Sequence, residues 1–99
     1  MQNGYKIFWT DNALQELNNT IEYLQNSFSD KEINKLASEI EKTINVIAKF
    51  PKTFPESGYP HVRKVAILKY NTMYYRIIDT QIEILSFFSN RQKPRTNKF

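Results

Sequence analysis

The sequence predicts an α+β domain of order β-α-α-β-β-β, in which a helical hairpin packs on one face of a mainly antiparallel sheet. Three observations predict it. Two stretches between residues 11 and 50 repeat apolar residues at helical spacing. Residues 62–88 alternate in strand fashion and are broken twice by turn residues. A short apolar run, YKIFW at 5–9, stands ahead of both helices. Runs of helix and strand grouped in this way give segregated layers rather than alternating β-α units. With 99 residues, 40% of them hydrophobic, the chain reads as one domain spanning 1–99 with a single modest core.

The run at 5–9 is rich in aromatic and β-branched residues and reads as the first strand. Thr10 and Asp11 are N-cap candidates, because their oxygens can accept from the free N–H groups of a starting helix. Leu14, Leu17, Ile21, Leu24 and Phe28 then recur at steps of three and four, predicting an inward face, with Gln15, Glu16, Asn19, Glu22 and Asn26 opposite. Ser29 and Glu32 have capping-box spacing and open a second helix. Its predicted apolar face is Ile33, Leu36, Ala37, Ile40, Ile44 and Ile47, with Phe50 at the exit.

Pro51, Pro55, Gly58 and Pro60 break regular structure, so 51–61 is predicted to be a loop. Strands come next at 62–68, 72–78 and 82–88, joined by turns at 69–71 and 79–81, which makes a meander. Strict alternation would group Met73, Tyr75 and Ile77 on one face, and Ile82, Ile84, Ser86 and Phe88 against Glu83, Leu85 and Phe87. With helices on one sheet face only, the other is expected to stay open.

Composition excludes several classes. There is no cysteine and one histidine, His61, so neither a disulfide framework nor a thiolate or histidine-cluster metal site is expected, and no cofactor is implied. No stretch approaches the apolar length of a membrane span and no signal peptide is evident, which predicts a cytoplasmic protein without membrane partners. The net charge of +4 is uneven. Residues 1–50 hold five lysines against seven acids, a balance of −2, while residues 51–99 hold nine bases against three acids, a balance of +6. The positive field of the second half favours an acidic partner, either nucleic acid or an acidic protein segment.

The order and spacing of several pieces carry a resemblance. Trp9 precedes a helix with Ala13-Leu14-x-x-Leu17 and Ile21-x-x-Leu24. Phe50-Pro51 comes after the second helix, and then Val62-Arg63-Lys64, Tyr74-Tyr75-Arg76-Ile77, Ile82-Glu83-Ile84-Leu85 and Asn90-Arg91-Gln92-x-Pro94. Together they resemble the RelE/ParE superfamily of bacterial type II toxins. The resemblance implies a toxin neutralised by a cognate acidic antitoxin, as in plasmid-stabilisation systems. It also implies a homodimer or a toxin–antitoxin hetero-oligomer.

The superfamily includes mRNA interferases that cut messenger RNA on the ribosome and ParE-like members that poison DNA gyrase. Cutting RNA with its own 2′-OH needs a base, an acid, and cations for the phosphate charge. By resemblance, Arg63 and Arg91 fill the cation positions, with Arg76 and Lys64 as further candidates, and alternation turns Arg63 and Lys64 to opposite faces. RNA-cutting relatives commonly place a histidine or tyrosine after the last strand, where this chain has Ser89 and Asn90. That leaves Glu56, His61 or Lys52 as acid or base, and leaves the catalytic set incomplete. Gyrase poisoning needs no such pair, and Asn90-Arg91-Gln92-Lys93-Pro94 resembles the ending of the ParE branch. The favoured reading is therefore a ParE-like toxin with Arg63, Arg76, Arg91 and Lys93 as target contacts, the alternatives being a RelE-like mRNA endoribonuclease and a non-toxic relative that acts only as a binding module; residues 95–99 are a basic tail for which disorder is one expectation.

Overall fold

The computed structural model describes residues 4–90. In chain order it contains β1 (Lys6–Trp9), α1 (Asp11–Ser27), α2 (Asp30–Lys49), β2 (Val62–Ile67), β3 (Asn71–Ile78) and β4 (Gln81–Ser89). This is the predicted α+β order. The strands form one sheet of order β1-β4-β3-β2, antiparallel except where β1 runs parallel to β4. Both helices cover one face. Ala13, Leu24, Leu36, Ile40 and Ile47 meet Val65, Ile67, Met73, Tyr75, Ile82, Ile84 and Phe87 in a continuous core.

The inward face of α1 is rotated from the predicted one. Leu14 and Phe28 are exposed, whereas Ala13, Thr20 and Leu24 are buried. Small residues at the point of closest approach let α1 lie against β4, and the Thr20 hydroxyl tolerates burial because it donates to Glu16 O at 3.0 Å. α2 repeats the device with Thr43, which is buried and donates to Glu39 O at 2.8 Å, while Ala37 faces solvent instead of the core. Phe50, at the helix exit, is 64% exposed.

The two helix starts also differ from each other. Thr10 caps α1 as expected, accepting from Ala13 N–H at 3.2 Å, and it donates to Ile84 O at 2.8 Å. Ser29 stands at the N-cap of α2 without a side-chain cap bond, so its half of the predicted capping box does not form.

Strict alternation fails in β4. The ladder pairs Tyr74 with Ser86 but Tyr75 with Ile84, leaving Leu85 as an extra residue. This bulge shifts the parity of the rest of the strand, so Phe87 joins Ile82 and Ile84 in the core at 1% exposed, and Phe88 does not. Glu16, predicted to face solvent, closes the bulge: its Oε1 accepts from Ser86 Oγ at 2.7 Å and from Phe87 N–H at 2.9 Å. β1 ends opposite Ile84, and beyond that point Asn12 of α1 donates to Leu85 O at 3.0 Å.

Candidate functional site

The sheet register assigns every paired strand residue to a face. Arg63 lies across from Tyr75, and Val65 from Met73, so Arg63 belongs to the helix-covered side. Lys64 lies across from Tyr74, and Arg76 from Val62 on β2 and Glu83 on β4, which places them on the uncovered side. Phe8 is registered with Glu83, and Ile78 with Gln81. The uncovered face therefore joins Phe8, Ile78 and Phe88 to Lys6, Lys64, Arg76 and Glu83, with Phe8 50% exposed at its β1 edge and Val62 and Tyr74 buried between them. It is a mixed apolar and basic surface.

Arg76 is not isolated there. Its Nε donates to Glu83 Oε1 at 2.8 Å across the β3–β4 hairpin. The bond runs through Nε, and the guanidinium has further N–H donors on a side chain that is 46% exposed.

Arg63 performs a different task. Its Nη1 donates to Phe54 O at 2.6 Å, and its Nη2 lies 4.0 Å from Glu56 Oε2. Beside it, the buried Tyr75 hydroxyl donates to Pro51 O at 2.7 Å. Together the two side chains hold the loop 51–61 against the end of the core. Burial raises the pKa of Tyr75 above 10.0, with the positive charge of Arg63 and a hydrogen bond from the Phe54 backbone working in the opposite direction. A neutral, occupied hydroxyl of this kind is not poised to take a proton.

The remaining sequence candidates scatter. Glu56 bridges to Arg63 from the loop, with its side chain 66% exposed. His61 is exposed, with a left-handed φ of 66° in the turn before β2. Arg91, Lys93 and the basic tail at 95–99 lie outside the described residues. The structure thus places Arg63 and Arg76 on opposite faces of the sheet and does not assemble them into one site. Sequence reasoning missed Tyr75 and Phe54 as the partners of Arg63, because both look like generic apolar core. It also missed Phe8 and Lys6 on the open face, whose register depends on a parallel pairing across more than 70 residues.

Two depressions accompany these surfaces. One, of 380 Å³, lies where the helical hairpin meets the β2–β3 turn, lined by Leu24, Leu36, Leu68 and Tyr70, with Lys35 and Lys69 beside them. Leu68 adopts a left-handed φ of 57° there. The other, of 500 Å³, runs along β2 beside Phe54 and Pro55. Among the described residues no group of three or more His, Asp or Glu side chains could hold a metal, and no helix is long and apolar enough to cross a membrane.

Residues 7–94 match the family model of the ParE toxin of the type II toxin–antitoxin system parDE. The chain belongs to the ParE toxin family. Solved structures of similar fold include the chromosomal ParDE system of P. aeruginosa, with a TM-score of 0.72 and 16% identity over 86% of this chain and 95% of that one. The YoeB dimer of Staphylococcus aureus matches with a TM-score of 0.59 and 18% identity over 85% and 94% of the two chains. HP0894 of Helicobacter pylori gives 0.57 and 16% over 89% and 97%. At these identities the structures show a shared fold, and the family match identifies a type II toxin with an antitoxin as its partner. Among curated proteins no sequence matches this chain.

Proposed function

We propose that this ParE-family protein arrests growth by binding and poisoning DNA gyrase in the cytoplasm, and that a cognate acidic antitoxin neutralises it. The observation that carries this reading is the family match, which runs from β1 through Arg91 and Lys93. The geometry supports a binding mode of action. The open face offers Arg76, Lys64 and apolar side chains to a partner, while Arg63 and Tyr75 are engaged by backbone carbonyls. In this reading Arg76, Arg91 and Lys93 are target contacts, and Arg63 contributes by holding the loop that borders β2.

Purified protein should inhibit gyrase supercoiling and accumulate cleavage complexes, and Arg76→Ala or Arg91→Ala should weaken both effects. Unchanged gyrase activity at high protein concentration would remove the proposal.

The second reading, a ribosome-dependent and metal-independent mRNA endoribonuclease, draws on one observation: the Glu56 carboxylate lies beside the Arg63 guanidinium, with His61 nearby in sequence. Toeprinting on translating ribosomes tests it, and new message ends lost in Glu56→Gln would favour it over gyrase.

A further inference from the structure

Thr20, Asn71 and Ser89, three of the five buried serine, threonine and asparagine residues among those described, line the 380 Å³ depression between the helical hairpin and the β2–β3 turn. Beside them the floor is apolar, with Leu24 and Leu36 both buried. A mainly apolar hollow with a few convergent polar groups, within the roughly 300–1,000 Å³ of small-ligand sites, has the make-up of a binding pocket.

Asn71 leaves part of its amide unused. Its Nδ2 donates to Ile67 O at 3.1 Å, and because a carbonyl can only accept, that bond fixes which end of the amide is nitrogen. Among the described residues Oδ1 and the second Nδ2 hydrogen have no partner, although Asn71 is only 8% exposed. A buried acceptor beside a buried donor calls for a ligand edge that carries one of each. Adenine presents such an edge, N6–H next to a ring nitrogen, and asparagine is the side chain that pairs with it in both directions.

The rim is built for an anion. Lys35 on α2 and Lys69 on the turn both border the depression, and Lys69 Nζ lies 5.8 Å from the centroid of the Tyr70 ring. Neither lysine is in an ion pair among the described residues, whereas Glu32, the acid on the same rim, already has a partner. An acyl-chain carboxylate would meet the lysines and the leucines but would leave Asn71 unanswered. A base joined to a phosphate answers all three.

We propose that this depression binds an adenine nucleotide, with the base edge on Asn71, the ring against Leu68 and Tyr70, and the phosphate held by Lys35 and Lys69. The inference does not depend on the gyrase reading, because Lys64 and Arg76 belong to the open face of the sheet and the depression to the helix-covered side.

The test titrates the full chain with AMP while its amide resonances are followed. Lys35, residues 68–71 and Ser89 should shift together and saturate, and the Asn71 side-chain amide should move with them. Purine riboside 5′-monophosphate keeps the ring, sugar and phosphate but lacks the amine, and should bind about tenfold more weakly. Lys69→Glu, at an exposed position, should weaken AMP binding about fivefold. Absence of a saturable shift at these residues by about 10 mM AMP overturns the proposal. Equal binding of the amine-free analogue overturns it too, and inorganic phosphate bound as tightly as AMP would identify an adventitious ion only, with the same consequence. The analogue and phosphate titrations use wild-type protein, so they decide the matter even where Lys69→Glu does not fold.

Discussion

The two faces of the sheet are made by alternate residues of the same strands, yet their cations are employed in different ways. On the covered face, Arg63 is bound to a backbone carbonyl and its side chain is 20% exposed. On the open face, its sequence neighbour Lys64 is exposed and Arg76 is tied only through Nε to Glu83. Adjacent basic residues in a motif therefore need not share a role. The covered one contributes to folding, and the open ones are available to a partner.

The largest test of this contrast is a pair of phenylalanines. Phe87→Ala should cost about 3–5 kcal/mol because Phe87 is enclosed in the core, whereas Phe88→Ala should cost under about 1 kcal/mol; urea midpoints of the two variants compare them directly. Equal losses would mean that the bulge does not set the facing of β4. Next in size, Arg63→Ala should destabilise by about 1–3 kcal/mol, since it leaves Phe54 O without its donor under the loop. Lys64→Ala should stay within about 0.5 kcal/mol of wild type. Reversal of that order in thermal denaturation would break the assignment of roles.

Tyr75→Phe sharpens the same boundary. Loss of the bond to Pro51 O should cost about 1–2 kcal/mol at neutral pH. The raised pKa also predicts a pH dependence. Folding favours the neutral hydroxyl, so its contribution is complete below the unfolded tyrosine value near 10.0 and is lost as pH rises through the higher folded value. The difference in stability between wild type and Tyr75→Phe should therefore shrink on the alkaline side of pH 10, as denaturation across about pH 8–12 would record. The smallest effect belongs to the open-face pair. Arg76→Ala and Glu83→Ala should each change stability by less than about 1 kcal/mol, and under the proposed function Arg76→Ala should weaken growth arrest on induced expression.

Element order and boundaries were legible because periodicity and turn residues are local signals: all three meander strands lie within one residue of their expected limits. The facing of α1 was not. Ala13 and Thr20 carry little hydrophobic weight, and their burial stems from how closely the helix approaches β4, a property of two elements together. The parity shift at Leu85 escaped for the same reason, since a bulge is defined only by the partner strand. The opposite facing of Arg63 and Lys64 was legible from alternation. That Arg63 faces inward, held by Phe54 and Glu56, required the fold of a loop that has no period at all.

The mismatch in length between β1, four residues, and β4, nine, gives the first helix a second duty. Where the short strand stops, Thr10, Asn12 and Glu16 take over its hydrogen bonds, so a helix acts as a surrogate strand along the seam. A chain shorn of β1 and α1 would bare this seam, and its unpaired backbone groups would be a template for pairing with another strand.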